Sequence, residues 1–382
     1  MGAALTAMPL FGLLGAVSWV DRVVGPLVSL LLLGFMVIVH EAGHFIVARW
    51  AGVRVLRFSI GFGPRLLTWK RGETEYALSG IPLGGYVKMA GEQQTAAEAK
   101  TGDFVSKPIR VRAAIIFAGP FVNYLVAFLS LWTVFIIGYP EVLPIVGRVA
   151  EDMPAYAVGI QPDDYIRAVN GKPVQFWDDM VKLIHDAPDR ALTLRIERRG
   201  AVHDVTVTPV VRDIIDLTGN KKRVGMIGVA SKGTFQVYRV GPLTALGKAV
   251  QKLNEWTAQT LIALWSMVTG KVPFRDSMTG PIGLMVITSE AVALGIAPVL
   301  FLVSLFSLSL SIFNVFPIPV LDGGHLLFLA LEKLRGRPVS LSFQERAAQV
   351  SFFILITLIL VICVNDLERF GMLKKLRTLF GG

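Results

Sequence analysis

A chain of 382 residues with 53% hydrophobic and 17% charged side chains, at a mean hydropathy of +0.59, is too apolar for a soluble globular protein and has room for several membrane spans plus one extramembrane domain. The net charge of +10 is spread over loops without a dense basic stripe, which argues against nucleic acid and favours anionic lipid headgroups as partner. The one cysteine, Cys363, lies in a late apolar run, so the chain has no internal disulfide framework.

Residues 1–20 include an apolar stretch with no Lys or Arg before it, and no cleavable signal is expected there. The run 23–48 is long enough to cross a bilayer and contains His40-Glu41-Ala42-Gly43-His44. Helix positions four apart differ by about 40° and about 6 Å, so both imidazoles project from one face and can share a metal ion. The spacing is HExxH, which reads as a zinc site: two His bind the metal and the Glu between them acts as general base toward a bound water. Chance matches to HExxH lie mostly on soluble surfaces, where Glu and His cost nothing. Here the three ionisable side chains sit in an apolar run, where each would be expensive without a function.

Further spans are expected at 113–138, at 297–316 and, shorter, at 350–364. Between the first two lie many basic residues, among them Arg49, Arg54, Arg57, Arg65, Lys70 and Arg71, whereas the N-terminal flank offers Arg22 alone. By the positive-inside rule this loop is cytoplasmic and the long segment 139–295 is extracytoplasmic. Within the loop, Leu66 to Trp69 and Glu75 to Leu78 read as a hairpin turned at Arg71-Gly72. The glycine-rich apolar stretches around Gly61, Gly63, Gly84 and Gly85 either dip back into the membrane beside the metal or serve as turns.

The extracytoplasmic segment opens with Ile145 to Val149 and continues through Val158-Gly159-Ile160-Gln161-Pro162-Asp163-Asp164-Tyr165-Ile166 to Asn170-Gly171. A helix is expected at 177–184 and alternating strands at 191–198 and 202–210. This segment resembles a PDZ domain of the bacterial, circularly permuted kind. Asp163 stands where that pattern has Gly, and Asp tolerates the left-handed conformation better than most residues. The resemblance implies either peptide binding by strand addition or a structural filter without a peptide ligand.

Residues 243–268 have helical apolar spacing interrupted by Lys248, Lys252 and Glu255, an amphipathic surface helix rather than a span. That reading leaves one span between the first and third, so both run in the same direction. The C-terminal end of the third, Asn314-Val315-Phe316-Pro317-Ile318-Pro319-Val320-Leu321-Asp322-Gly323, then reaches the depth of HExxH. A catalytic zinc wants three protein ligands and an open position. His185 and His203 lie on the far side, which leaves Asp322 or His325 as the third.

HEAGH in the first span together with NVFPIPVLDGG at the third is similar to the two motifs of the site-2 protease family, the intramembrane zinc metalloproteases, in their bacterial RseP type. Gly119-Pro120-Phe121-Val122-Asn123 in the second span matches a third pattern of that type. The resemblance implies a Zn2+ cofactor, Asp322 as third ligand, Glu41 as general base and acid, and Asn314 as a holder of the substrate backbone. Strand addition at the region carrying Gly61, Gly63, Gly84 and Gly85 would stabilise an unwound substrate. Asn123 is either a helix-packing donor or a substrate contact.

The fold expected is thus a polytopic α-helical membrane protein with four transmembrane helices, a membrane-associated β-hairpin region and an extracytoplasmic PDZ (α+β) domain. Its parts are an N-terminal segment with the first span (1–48), a cytoplasmic or membrane-dipping β region (49–112), the second span (113–138), a single PDZ domain (139–230), an amphipathic helical region (231–296), the third span (297–322), and a cytoplasmic loop, fourth span and tail (323–382). The activity implied is cleavage within substrate transmembrane segments of single-pass proteins such as anti-sigma factors or signal-peptide remnants, in a bacterial inner membrane. A non-proteolytic PDZ scaffold would carry a degraded metal motif. A metal transporter would need polar residues through several spans.

Overall fold

The computed structural model describes residues 19–92, 94, 98–216, 220–272 and 279–369; the leader question at the N-terminus and the tail from 370 lie outside them. Four helices are long and apolar enough to cross a bilayer: Val24–Trp50 within α1 (Trp19–Trp50), α2 (Ile109–Ile137), α7 (Ile296–Val315) and α9 (Leu341–Arg369). These are the four expected spans, the last much longer than its apolar run. The described residues fall into two compact units, one formed by those within 135–245 and 258–272, the other by those within 19–134, 246–257 and 279–369.

In the second of these units, α1 stops at Gly52, whose φ of +66° places it in the left-handed region and whose N–H donates to Arg49 O at 3.0 Å. β1 (Val55–Arg71) and β2 (Thr74–Met89) follow, joined at Gly72 as expected. They are longer than the sequence suggested, and each is bent. Residues 57–60 of β1 are flanked on one side by 85–88 of β2 and on the other by 75–78, while 67–71 pair with 74–78. One hairpin therefore makes a sheet four segments wide. The bend needs Gly61, at φ +87°, where an added Cβ would lie 2.7 Å from Ile81 O.

Phe45 of α1 packs on Phe58 and Tyr76 of this sheet, with ring centroids 5.0 and 6.0 Å apart. A Cβ at Gly34 would stand 2.4 Å from Pro82 O, so α1 and β2 meet backbone to backbone. Beyond that contact Phe62, Leu66, Leu67, Trp69, Leu78 and Ile81 are exposed.

α7 lies against α2. Its Ser304 and Ser311 hydroxyls donate to Ala127 O and Pro120 O, both at 2.7 Å, which satisfies polar side chains in an apolar bundle. Within α5 (Pro242–Val268), Trp256 meets Phe301 of α7 edge to face at 5.3 Å. α5 is not among the helices apolar enough to span, in keeping with its three charged positions. An apolar helix too short to cross, α6 (Pro281–Leu294), is capped by the carboxylate of Asp366 on α9, which accepts from Gly280 N and Gly283 N at 3.2 and 2.8 Å. The sequence reading had no place for α6.

α7 ends at Phe316, held extended (ψ 142°) ahead of Pro317. The turn that follows packs on the first residues of α8 (Asp322–Arg335): a Cβ at Gly323 would lie 2.0 Å from Phe316 O, and one at Gly324 would lie 2.4 Å from Ile318 O. No side chain fits there, so the two glycines after Asp322 let the turn close on α8 and set the aspartate in its first turn.

The other unit holds a four-stranded antiparallel sheet in the order β6 (Lys172–Pro173), β5 (Tyr165–Val169), β7 (Leu192–Arg198), β8 (Ala201–Val207). Outside the sheet, β3 (Tyr139–Val142) pairs with β12 (Phe235–Tyr238), β4 (Val146–Val149) with β11 (Val229–Ser231), and β9 (Val210–Ile215) with β10 (Lys221–Met226). Two helices, α3 (Pro154–Ala157) and α4 (Trp177–His185), complete it. Alternate residues Leu192, Leu194 and Ile196 point into a core shared with Ile166 and Met180. Strand β12 lies within 231–296, ahead of the amphipathic helix expected there. Asp163 sits at φ +72°, the left-handed conformation foreseen for it.

Next to Asp163, Asp164 is fully buried and bound by Arg198, with Nε at 2.6 Å and Nη2 at 2.7 Å, and by the Gln161 N–H at 2.8 Å. Removing one partner of such a pair leaves a charge without compensation. Asp164→Ala is expected to destabilise this unit by about 3 kcal/mol, lowering its thermal midpoint in the full chain. An unchanged midpoint would show the pair to be neutral.

Candidate metal centre

His40 and His44 lie one turn apart on α1, both buried, with ring centroids 4.7 Å apart and planes at 82°. α8 brings Asp322 to them. His40 Nε2 is 2.9 Å from Asp322 Oδ2, His44 Nε2 is 3.3 Å from it, and the two Nε2 atoms are 3.1 Å apart. A tetrahedral site with bonds of about 2.0–2.1 Å has edges of about 3.3 Å, so the triangle matches one face of such a site. Asp322 Oδ2 is buried and makes no hydrogen bond of acceptable geometry despite those two nitrogens. Three ligand atoms converging in this way are a donor set for a cation, and these residues fit a zinc ion.

Glu41 accepts a hydrogen bond from Val87 N at 3.0 Å, on the edge of β2 away from its β1 partner. It lines a cavity of about 460 Å³ with His44, Asp322, Tyr86, Val87 and His325. Another wall of the cavity is a bidentate ion pair between Arg112 of α2, which the sequence reading counted only among the basic residues of the loop, and Glu332 of α8, which it did not name. His325 faces the cavity but is not part of the metal cluster.

The remaining expected residues fall as follows. Asn314 is half-buried in the last turn of α7, with no hydrogen-bond partner among the described residues, and does not line the cavity. Gly61 and Gly63 are at the bend of β1, and Gly84 and Gly85 at that of β2, where a Cβ on Gly84 would lie 2.8 Å from Val37 of α1. Asn123 bridges two helices as a packing residue would, but its partner is the His40 ring, at 3.2 Å from Nδ1.

Residues 28–358 match the model of peptidase family M50. The chain belongs to peptidase family M50. It is 36% identical to a protein of Rhizobium meliloti named as a candidate zinc metalloprotease, over 356 residues that cover 89% of this chain and 95% of the relative. A similarly named protein of Agrobacterium fabrum is 33% identical over 357 residues, covering 89% and 94%. The regulator of sigma-E protease RseP of Escherichia coli is 32% identical over 443 positions, covering 88% of this chain and 97% of the relative. Because 443 aligned positions exceed the 382 residues present here, the Escherichia coli protein carries additional segments. This chain is accordingly a multi-pass membrane zinc metalloprotease with the donor set His40, His44 and Asp322 available for its metal.

Proposed function

We propose that this intramembrane protease cuts the transmembrane segments of single-pass substrates, with His40, His44 and Asp322 as zinc ligands and Glu41 as general base. The observation that carries the reading is the convergence of the three ligand atoms beside a carboxylate on the wall of a cavity large enough for an extended peptide. Zinc bound there supplies a Lewis acid for the scissile carbonyl and lowers the pKa of water toward neutrality. Glu41 takes the proton from the attacking water and passes it to the leaving amide nitrogen. Its hydrogen bond from Val87 keeps the carboxylate aimed at the cavity meanwhile.

A helical substrate hides its amides in its own hydrogen bonds and must unwind to be cut. The edge of β2 beyond Gly84 and Gly85 offers backbone groups for strand addition, and the family motif offers Asn314 as a further holder of the substrate backbone. The exposed Phe62, Leu66, Leu67, Trp69 and Ile81 suit a hairpin that dips into lipid, with Arg and Lys of the same loop on anionic headgroups.

The unit containing β5, β7 and β8 acts as a PDZ domain on the extracytoplasmic face of a bacterial inner membrane. Between α4 and residues 225–229 it carries a pocket of about 50 Å³, and the unit serves either as a size filter or as a receptor for an extended peptide. The name of the Escherichia coli relative supports anti-sigma factors as substrates, alongside other regulators and signal-peptide remnants, after an earlier cut has removed the bulky outer part.

The test is cleavage of a single-pass protein in proteoliposomes by the purified chain, with fragment masses placing the cut. A cut inside the apolar segment, lost with a chelator and restored by zinc, supports the reading; cuts confined to extramembrane loops oppose it. Replacing residues 145–229 by a short linker is expected to leave zinc content intact and to admit substrates that still carry folded outer domains. A folded, zinc-loaded deletion form that rejects them as strictly as the parent would place selectivity in the membrane segments.

A further inference from the structure

One helix, α2, touches both imidazoles of the cluster. His44 Nδ1 is 2.8 Å from Ile115 O, a carbonyl that can only accept, so Nδ1 carries a proton, and in the neutral ring this leaves the Nε2 lone pair for a metal. A Cβ at Gly119 would lie 2.4 Å from His44 Nε2 and 2.8 Å from His40 Cε1, so only a residue without a side chain lets the helix lie this close. Pro120 removes the N–H that would bond Ile116 O and loosens the helical turn in which Ile115 O receives His44. Ser311 ties Pro120 O to α7, fixing that turn in place.

Asn123 completes the arrangement. Its side chain is fully buried, and among the described residues its one polar partner is His40 Nδ1; its Oδ1 is left without any. The amide oxygen and nitrogen have nearly the same shape, and the network decides which faces the ring. A His that gives Nε2 to a metal carries its proton on Nδ1, which requires an acceptor opposite. Turning the amide by 180° places Oδ1 there. We infer that Gly119-Pro120-Phe121-Val122-Asn123 is the positioning element of the metal centre, with Asn123 Oδ1 accepting from His40 Nδ1 as Ile115 O accepts from His44 Nδ1. This rests on the reading that both histidines ligate zinc. Residues supporting ligands in this way contribute about 10–100-fold in metal affinity.

A plain packing role predicts something different. A buried amide with one partner is costly, and an apolar side chain of its size is tolerated as well or better where packing alone matters. Asn123→Leu is therefore expected to leave the metal-free thermal midpoint of the full chain unchanged or raised, while weakening zinc about 10–100-fold in chelator competition. It should also shift the visible bands of the Co2+-substituted protein. Asn123→Asp, which keeps an acceptor, is expected to hold zinc at least as tightly as the parent. Asn123→Ala serves should the leucine form fail to accumulate.

Parent-like zinc affinity in Asn123→Leu or Asn123→Ala would overturn the inference, as would an Asn123→Asp form as weak as these. His40→Ala, measured alongside, separates the two levels: if it too binds zinc like the parent, the ligand assignment itself fails.

Discussion

Glu41→Gln is expected to bind zinc like the parent and to lose proteolysis by about 10²–10⁴-fold, the usual share of a positioned general base. The amide oxygen of Gln can still accept from Val87 N, so the side chain keeps its place beside the cavity while losing the ability to take a proton. None of the three donor atoms is altered. The measurement is zinc content by atomic absorption together with cleavage of a single-pass substrate. A zinc-loaded Gln form with parental turnover would remove Glu41 from the chemistry. Membranes holding this inactive form, compared with those holding the parent, should also accumulate uncut substrates, which proteomic comparison would identify.

His40→Ala, His44→Ala and Asp322→Asn are expected to fail at the other step. Each alanine removes a corner of a triangle whose edges are 2.9, 3.1 and 3.3 Å, leaving too few donors for a catalytic zinc, and Asp322→Asn replaces a charged oxygen donor by a weak neutral one. The loss of affinity should exceed the ~10–100-fold typical of supporting residues, so the purified proteins would come out largely metal-free. Activity should return in part with excess zinc for Asp322→Asn, which keeps an oxygen at the site, and not for the alanine forms. If Asp322→Asn retained full zinc while activity fell, Asp322 would be a participant in catalysis rather than a ligand.

The spans and the hairpin were legible because their signals are local. Apolar runs, a glycine at a turn and a proline after a helix each act within a few residues. HExxH was legible for the same reason, since one turn of helix fixes the His pair. The four-segment width of the hairpin sheet was not, because residues 57–60 pair with two separate stretches of β2 and no local pattern marks the second pairing. Nor was α6, whose 14 residues are too few for a span and whose cap comes from Asp366, 86 positions away from Gly280. The motif at Gly119 to Asn123 was visible, but its work was hidden: the need for a residue without a Cβ at 119 arises from imidazoles on another helix. Asn314 was read from the family motif alone, and among the described residues it has no partner that would have suggested a role.

The donor set is split between the first span and the turn after the third, so order of synthesis matters. When His44 has left the ribosome, 278 residues remain before Asp322, from positions 44 and 322. At about 5–20 residues per second this takes roughly 15–60 s. For that interval the first helix carries two imidazoles and a glutamate in the bilayer without the carboxylate that completes the cluster, and a zinc ion arriving early has only two histidines to hold it. A nascent chain in this state is no protease. The membrane is thus protected from a half-built enzyme by the distance in sequence between two parts of one site.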